Sequence, residues 1–165
     1  MANMLLENGL AVLAFARRGT LAFLEDIPED KLCYSPVPNG NHALWLIGHI
    51  TLTDDELRST VGSGPARCPE PWNKLFGSGT RPLPDPRAYP SLVELKQHLN
   101  ARREELIGWF KSLPDAKLTE PLAGDLLQFA PNYAGLMPSI AYHEGLHAGQ
   151  LRVIGQALGK PPKYG

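Results

Sequence analysis

The sequence predicts an all-α protein built as a four-helix bundle, and three observations carry that expectation. Four stretches nearly free of proline place apolar residues at intervals of three and four. No stretch sustains the alternation that a half-buried strand needs. Most of the 16 prolines crowd into the segments between those stretches, where they mark turns and stops.

The first helix is expected from about Asn3 to Asp26, with Leu6, Leu10, Leu13, Arg17, Leu21 and Leu24 near one face and Pro28 ending it. The second, from about Asn41 to Val61, follows the turn cluster Pro36, Pro38, Asn39, Gly40 and carries Trp45, His49 and Leu52 on one row. Ser91 opens the third as an N-cap, with Glu94 three residues on completing a capping box. Its core row is Leu92, Leu95, Leu99, Leu106, Phe110 and Leu113, closed by Pro114. The fourth begins near Pro138 and carries Ile140, His143, His147, Leu151, Ile154 and Leu158 before Gly159, Pro161 and Pro162 stop it.

Between the second and third helices, Gly62 to Pro90 holds seven prolines and is far longer than a hairpin needs. Extended chain covers ~3.3 Å per residue and a twenty-residue helix spans about 30 Å, so this segment can cross the whole bundle. The expected topology is therefore up-down-down-up with a long crossover between helices 2 and 3. The connection from Pro114 to Met137 is expected to hold a short helix around Leu122 to Phe129. Its stretch Leu126 to Met137 is read as a wall of the site.

With 165 residues the chain reads as one domain, 1–165, able to bury roughly 70% of its unfolded surface. Sixteen basic against 17 acidic residues leave a net charge of -1, with no electrostatic footprint for nucleic acid or an anionic membrane. No segment approaches about 18 uninterrupted apolar residues. Glu7 precedes the apolar run Leu10 to Ala16 and Arg17-Arg18 follows it, the reverse of a secretory leader, so a cytoplasmic protein is expected. Cys33 and Cys68 match no metal or disulfide spacing and read as reduced thiols.

The chemistry lies in the histidines. His143 and His147, four residues apart, interrupt the aliphatic row of the fourth helix and present their rings to one point, as a helical metal half-site requires. His143-Glu144-Gly145-Leu146-His147 spells HExxH, but the eighteen residues after His147 contain no Asp, Glu or His to complete a zinc-protease site. A third ligand must come from upstream, and His49 on the second helix is the best placed. His42 lies on the same face two turns earlier, while His98 falls off the core row and is expected at the surface.

Trp45-Leu46-Ile47-Gly48-His49 and His143-Glu144-Gly145-Leu146-His147-Ala148-Gly149-Gln150 resemble the DinB-like (DinB/YfiT-like) superfamily, whose pattern is Trp-x-x-Gly-His followed by His-x-x-x-His-x-Gly-Gln. The resemblance implies a divalent ion, nickel or zinc, held by His49, His143 and His147, and frequently a homodimer. It also implies a metal-dependent enzyme, with thiol S-transferases among the characterised branches.

Three neutral imidazoles leave the ion its charge and at least one open position, which suits transfer of a low-molecular-weight thiol or hydrolysis of a small-molecule substrate. The alternative is a metal-stabilised binding or stress-response module without turnover. Around the ligands, Glu144 is read as a general base at the site's edge. Trp45 is read as a wall, Gln150 as an orienting residue, His42 as lining, and Tyr142 and Tyr133 as hydrogen-bonding groups for substrate. Leu5, Val12, Phe15 and Phe23, off the first helix's core row, point to a homodimer through that helix.

Overall fold

The computed structural model describes residues 2–62, 64–161 and 163, and Pro162 therefore lies outside the described residues. Four long helices carry the fold: α1 (Ala2–Leu24), α2 (Ala43–Thr60), α4 (Leu92–Ser112) and α6 (Tyr133–Ala157). Two single-turn helices sit in the connections, α3 (Trp72–Phe76) and α5 (Asp115–Thr119). Among the described residues there is no strand, only an isolated bridge between Pro121 and Asn132. No described helix is long and apolar enough to cross a membrane.

The N-caps explain where three helices start. Ser91 Oγ accepts from the Glu94 N–H at 3.2 Å, as the capping box requires. His42 caps α2, its Nδ1 accepting from the Trp45 N–H at 3.3 Å. Asn132 Oδ1 accepts from the Gly135 N–H at 2.9 Å, and this cap starts α6 five residues before the expected boundary. Pro138 thus lies inside the helix rather than at its start, where its missing N–H costs a single intrahelical bond. In the third connection the expected helix around Leu122 to Phe129 is a 3-10 turn over Gly124–Gln128, preceded by α5.

α1 packs chiefly on α6, α2 on α4, and α2 also meets α6. Two apolar clusters fill the interior. One joins Leu24 of α1, Ala43 to Leu52 of α2, Trp72 and Phe76, Leu95 and Leu99 of α4, and Leu151 and Ile154 of α6. The other joins Leu13, Leu106, Phe110, Leu118 and the α6 residues Leu136 to Ala141.

In the interior Arg17, Asp54, Arg103 and Glu144, one from each long helix, form a buried ion-pair network. Arg17 Nε donates to Glu144 Oε1 at 2.6 Å and its Nη2 to Asp54 Oδ2 at 3.2 Å. Arg103 donates to both oxygens of Asp54, at 2.9 and 3.0 Å, and to Glu144 Oε2 at 2.7 Å. Arg17 also donates to the Leu99 carbonyl. Two guanidinium and two carboxylate groups therefore neutralise one another in the interior, the condition under which buried charge is tolerated.

Candidate metal centre

α2 and α6 bring His49, His143 and His147 together. His143 Nε2 lies 3.3 Å from His49 Nε2 and 3.1 Å from His147 Nε2, and one ligating nitrogen from each ring falls within a 4.8 Å group. His49 is buried, while the other two are half-buried.

The outer nitrogens fix the tautomers of two rings. His49 Nδ1 lies 2.7 Å from the Phe76 carbonyl oxygen, which can only accept, so Nδ1 carries the proton and Nε2 presents a lone pair. His147 Nδ1 faces Gln150 Oε1 at 3.5 Å, which gives that ring the same orientation. Both lone pairs then confront His143 Nε2, and a single N–H there can satisfy only one of them. A cation at the centre satisfies all three. Nitrogens 2.0–2.1 Å from one ion at tetrahedral angles stand ~3.3–3.4 Å apart, close to the 3.3 and 3.1 Å that separate His143 Nε2 from the other two rings.

Burial pushes all three imidazoles below their usual value near 6.5, and the neighbouring rings push His147 further, to about 4. At neutral pH the rings are uncharged, which is the state that binds metal.

Gly48 explains why the His49 ring is held so firmly. A Cβ at that position would stand 2.2–2.5 Å from the Phe76 ring, so only glycine lets α3 lie on α2 with the Phe76 carbonyl against His49. The crossover is pinned twice more. Trp45 Nε1 donates to Thr80 Oγ1 at 3.0 Å, and His42 Nε2 donates to the Leu83 carbonyl at 3.0 Å. Trp45 also stacks on His49, with ring centroids 4.7 Å apart and planes 11° from parallel, and meets the His147 ring edge-on with centroids 6.4 Å apart.

Other expectations are corrected. Glu144 is fully buried and both its oxygens are held by Arg17 and Arg103, so neither is placed to act as a base at the site's edge. Burial opposes its charged form, but the two arginines outweigh burial and hold its carboxyl below the usual range. His42 spends both ring nitrogens on the cap and on Leu83. Tyr142 is 70% exposed and lines an apolar groove with Phe15 and Pro138, away from the histidines. Tyr133 packs on Trp109 and under Lys117 at the start of α6.

The stretch Leu126 to Met137 supplies Ala130, Leu136 and Met137 to the Leu13 cluster, and it is the second connection that reaches the site. His98 is half-buried against Trp72 instead of lying at the surface. Cys33 and Cys68 are free thiols outside the histidine group, and burial followed by the Asp55 charge pushes Cys68 up to about 12.

The architecture and its donor set define a class: an all-helical protein whose long helices present three converging imidazoles able to hold a metal ion. The family model for the DinB superfamily matches residues 13–151, and the chain belongs to that superfamily, whose members are generally metal-dependent. No curated protein matches the chain closely enough to count as a relative.

Proposed function

We propose that the chain is a small metalloenzyme holding one divalent ion, nickel or zinc, on His49, His143 and His147, and that it transfers a low-molecular-weight thiol to, or hydrolyses, a small-molecule substrate. The observation that carries this reading is the ligand count. Among the described residues three imidazoles converge and no Cys, Asp, Glu or further His joins the group, which leaves coordination positions for an exchangeable molecule. An ion bound there supplies a Lewis acid that makes a coordinated water or thiol easier to deprotonate. The Phe76 carbonyl and Gln150 hold two rings in register, Trp45 closes one side, and the half-buried His143 and His147 leave the opposite side accessible.

The wider reading has three parts. The long helices form an up-down-down-up bundle, supported by the order in which each visits the two clusters: α1 and α6 run from the Leu13 cluster toward the Leu24 cluster, α2 and α4 the other way. The chain forms a homodimer, supported by Val12, Phe15 and Tyr142 left exposed along α1 and α6. It works in the cytoplasm, where two free thiols are stable.

Elemental analysis of untagged protein, followed by cobalt substitution, tests the central claim. One ion per chain and a cobalt spectrum that changes with a thiol, azide or acetate are expected. An unchanging spectrum up to millimolar ligand would move the protein to the class of metal-stabilised binding modules.

A further inference from the structure

Beside the candidate metal centre the loop 35–41 and the C-terminal half of α6 enclose a groove of about 500 Å³. Its apolar surface comes from Val37, Leu146, Val153 and Ile154, of which the first three are at least half exposed. No charged side chain lines it among the described residues. The polar contribution includes an amide pair, in which Asn41 Nδ2 donates to Gln150 Oε1 at 3.1 Å.

Gln150 belongs to both places. The oxygen that receives Asn41 is the one that faces His147 Nδ1, so the groove and the metal ligand share one side chain. The pair leaves the Asn41 carbonyl oxygen and amide N–H groups of both residues outside this bond. A donor and an acceptor side by side match a carboxamide, which offers the complementary acceptor and donor.

The opposite wall is a preformed surface. Ser35 Oγ donates to the Val37 carbonyl at 3.0 Å and accepts from the Val37 N–H at 3.3 Å, and the Gly40 N–H closes a turn on the same carbonyl at 2.9 Å. A Cβ on Gly40 would stand 2.6 Å from Ser35 Oγ, so the turn depends on glycine there.

We infer that this groove is the specificity subsite of the metal centre, and that it takes an uncharged arm carrying an amide and a short alkyl chain, attached to the electron-rich atom that enters the coordination sphere. The inference rests on the metalloenzyme reading and adds the substrate class to it. An anionic arm finds no cation in the groove, and burying it there without a partner is costly.

The test is a spectral titration of the cobalt-substituted protein with three thiols: 2-mercapto-N-propylacetamide, propanethiol and thioglycolate. The amide thiol is expected to bind about tenfold more tightly than either of the others, the effect of hydrogen bonds that the other two cannot make. Asn41→Ala, which touches no histidine, should remove that preference while leaving the metal content unchanged. Val153→Lys should shift the preference toward thioglycolate. Equal affinities for the amide thiol and propanethiol, or tighter binding of thioglycolate by the unmodified protein, would overturn the subsite while leaving the metal reading intact. A spectrum that no thiol changes removes the metalloenzyme reading, and this inference with it.

Discussion

The Nδ1 of His49 lies 2.7 Å from the carbonyl oxygen of Phe76, and the ring of the same Phe76 occupies the space where Gly48 has no side chain. One residue of the crossover therefore sets both the position and the tautomer of a candidate ligand. Gly48→Ala should push the Phe76 ring away and lower zinc affinity roughly 10- to 100-fold, the usual effect of disturbing a group that orients a ligand. Overpacking should also cost about 1–3 kcal/mol of stability. Chelator competition and thermal melts check this, and adding Phe76→Leu to Gly48→Ala should recover part of the metal affinity.

Metal removal should destabilise the folded chain. An ion bound by three residues on two helices stabilises the native state by about 2.7 kcal/mol when present at a hundred times its Kd. The melting temperature should rise with zinc and fall with EDTA. His147→Ala should melt at the same temperature with and without the ion; a zinc-dependent rise in that variant would remove His147 from the ligand set.

Glu144→Ala should be far more damaging to stability than an edge residue would be. It leaves Arg17 and Arg103 partly uncompensated in the interior, and breaking a buried pair typically costs about 3–5 kcal/mol. Denaturant unfolding measures the loss. An effect below 1 kcal/mol would show that the ion-pair quartet does not hold the interior together.

Asp55 gives a pH prediction. Burial opposes its charged form, but the backbone N–H groups of Cys68 and Arg67 and the Arg58 guanidinium outweigh it and hold its pKa below the usual 3.8. A depressed folded pKa contributes stability that is complete above the unfolded value and is lost as pH falls through the folded one. The chain should therefore lose stability as the pH drops below about 4. In Asp55→Asn the acid limb of the stability curve should be shallower.

The surface formed by Val12, Phe15 and Tyr142 should hold two chains together. Light scattering at micromolar concentration should give twice the chain mass, and Phe15→Glu should give the single-chain mass with metal content unchanged.

The converging histidines are legible in the sequence because helical periodicity alone places His143 and His147 on one face, and the same row places Trp45 beside His49. Adjacent letters mislead where a helix turns by 100° per residue: Glu144 and Tyr142 flank His143 in the chain, yet one enters the interior and the other faces the α1 side. The partners of Glu144 lie 127 and 41 residues away, a distance no local pattern spans. A signal for them was present all the same. Arg17 sits in the leucine row of the first helix, and Arg102-Arg103 fills the gap between Leu99 and Leu106 in the third. The role of Phe76 had no such sign, since a backbone carbonyl acts there and any residue supplies one.

The quartet of Arg17, Asp54, Arg103 and Glu144 also bears on how the chain assembles. A docked pair such as α1 and α6 can match one cation with one anion, but each of those groups then lacks its second partner, so partly docked states carry a penalty that vanishes only with the last arrival. The chain should therefore fold as a single cooperative unit with few half-formed intermediates. Splitting the gene within the crossover should yield two fragments that are each unstructured alone and fold only when mixed.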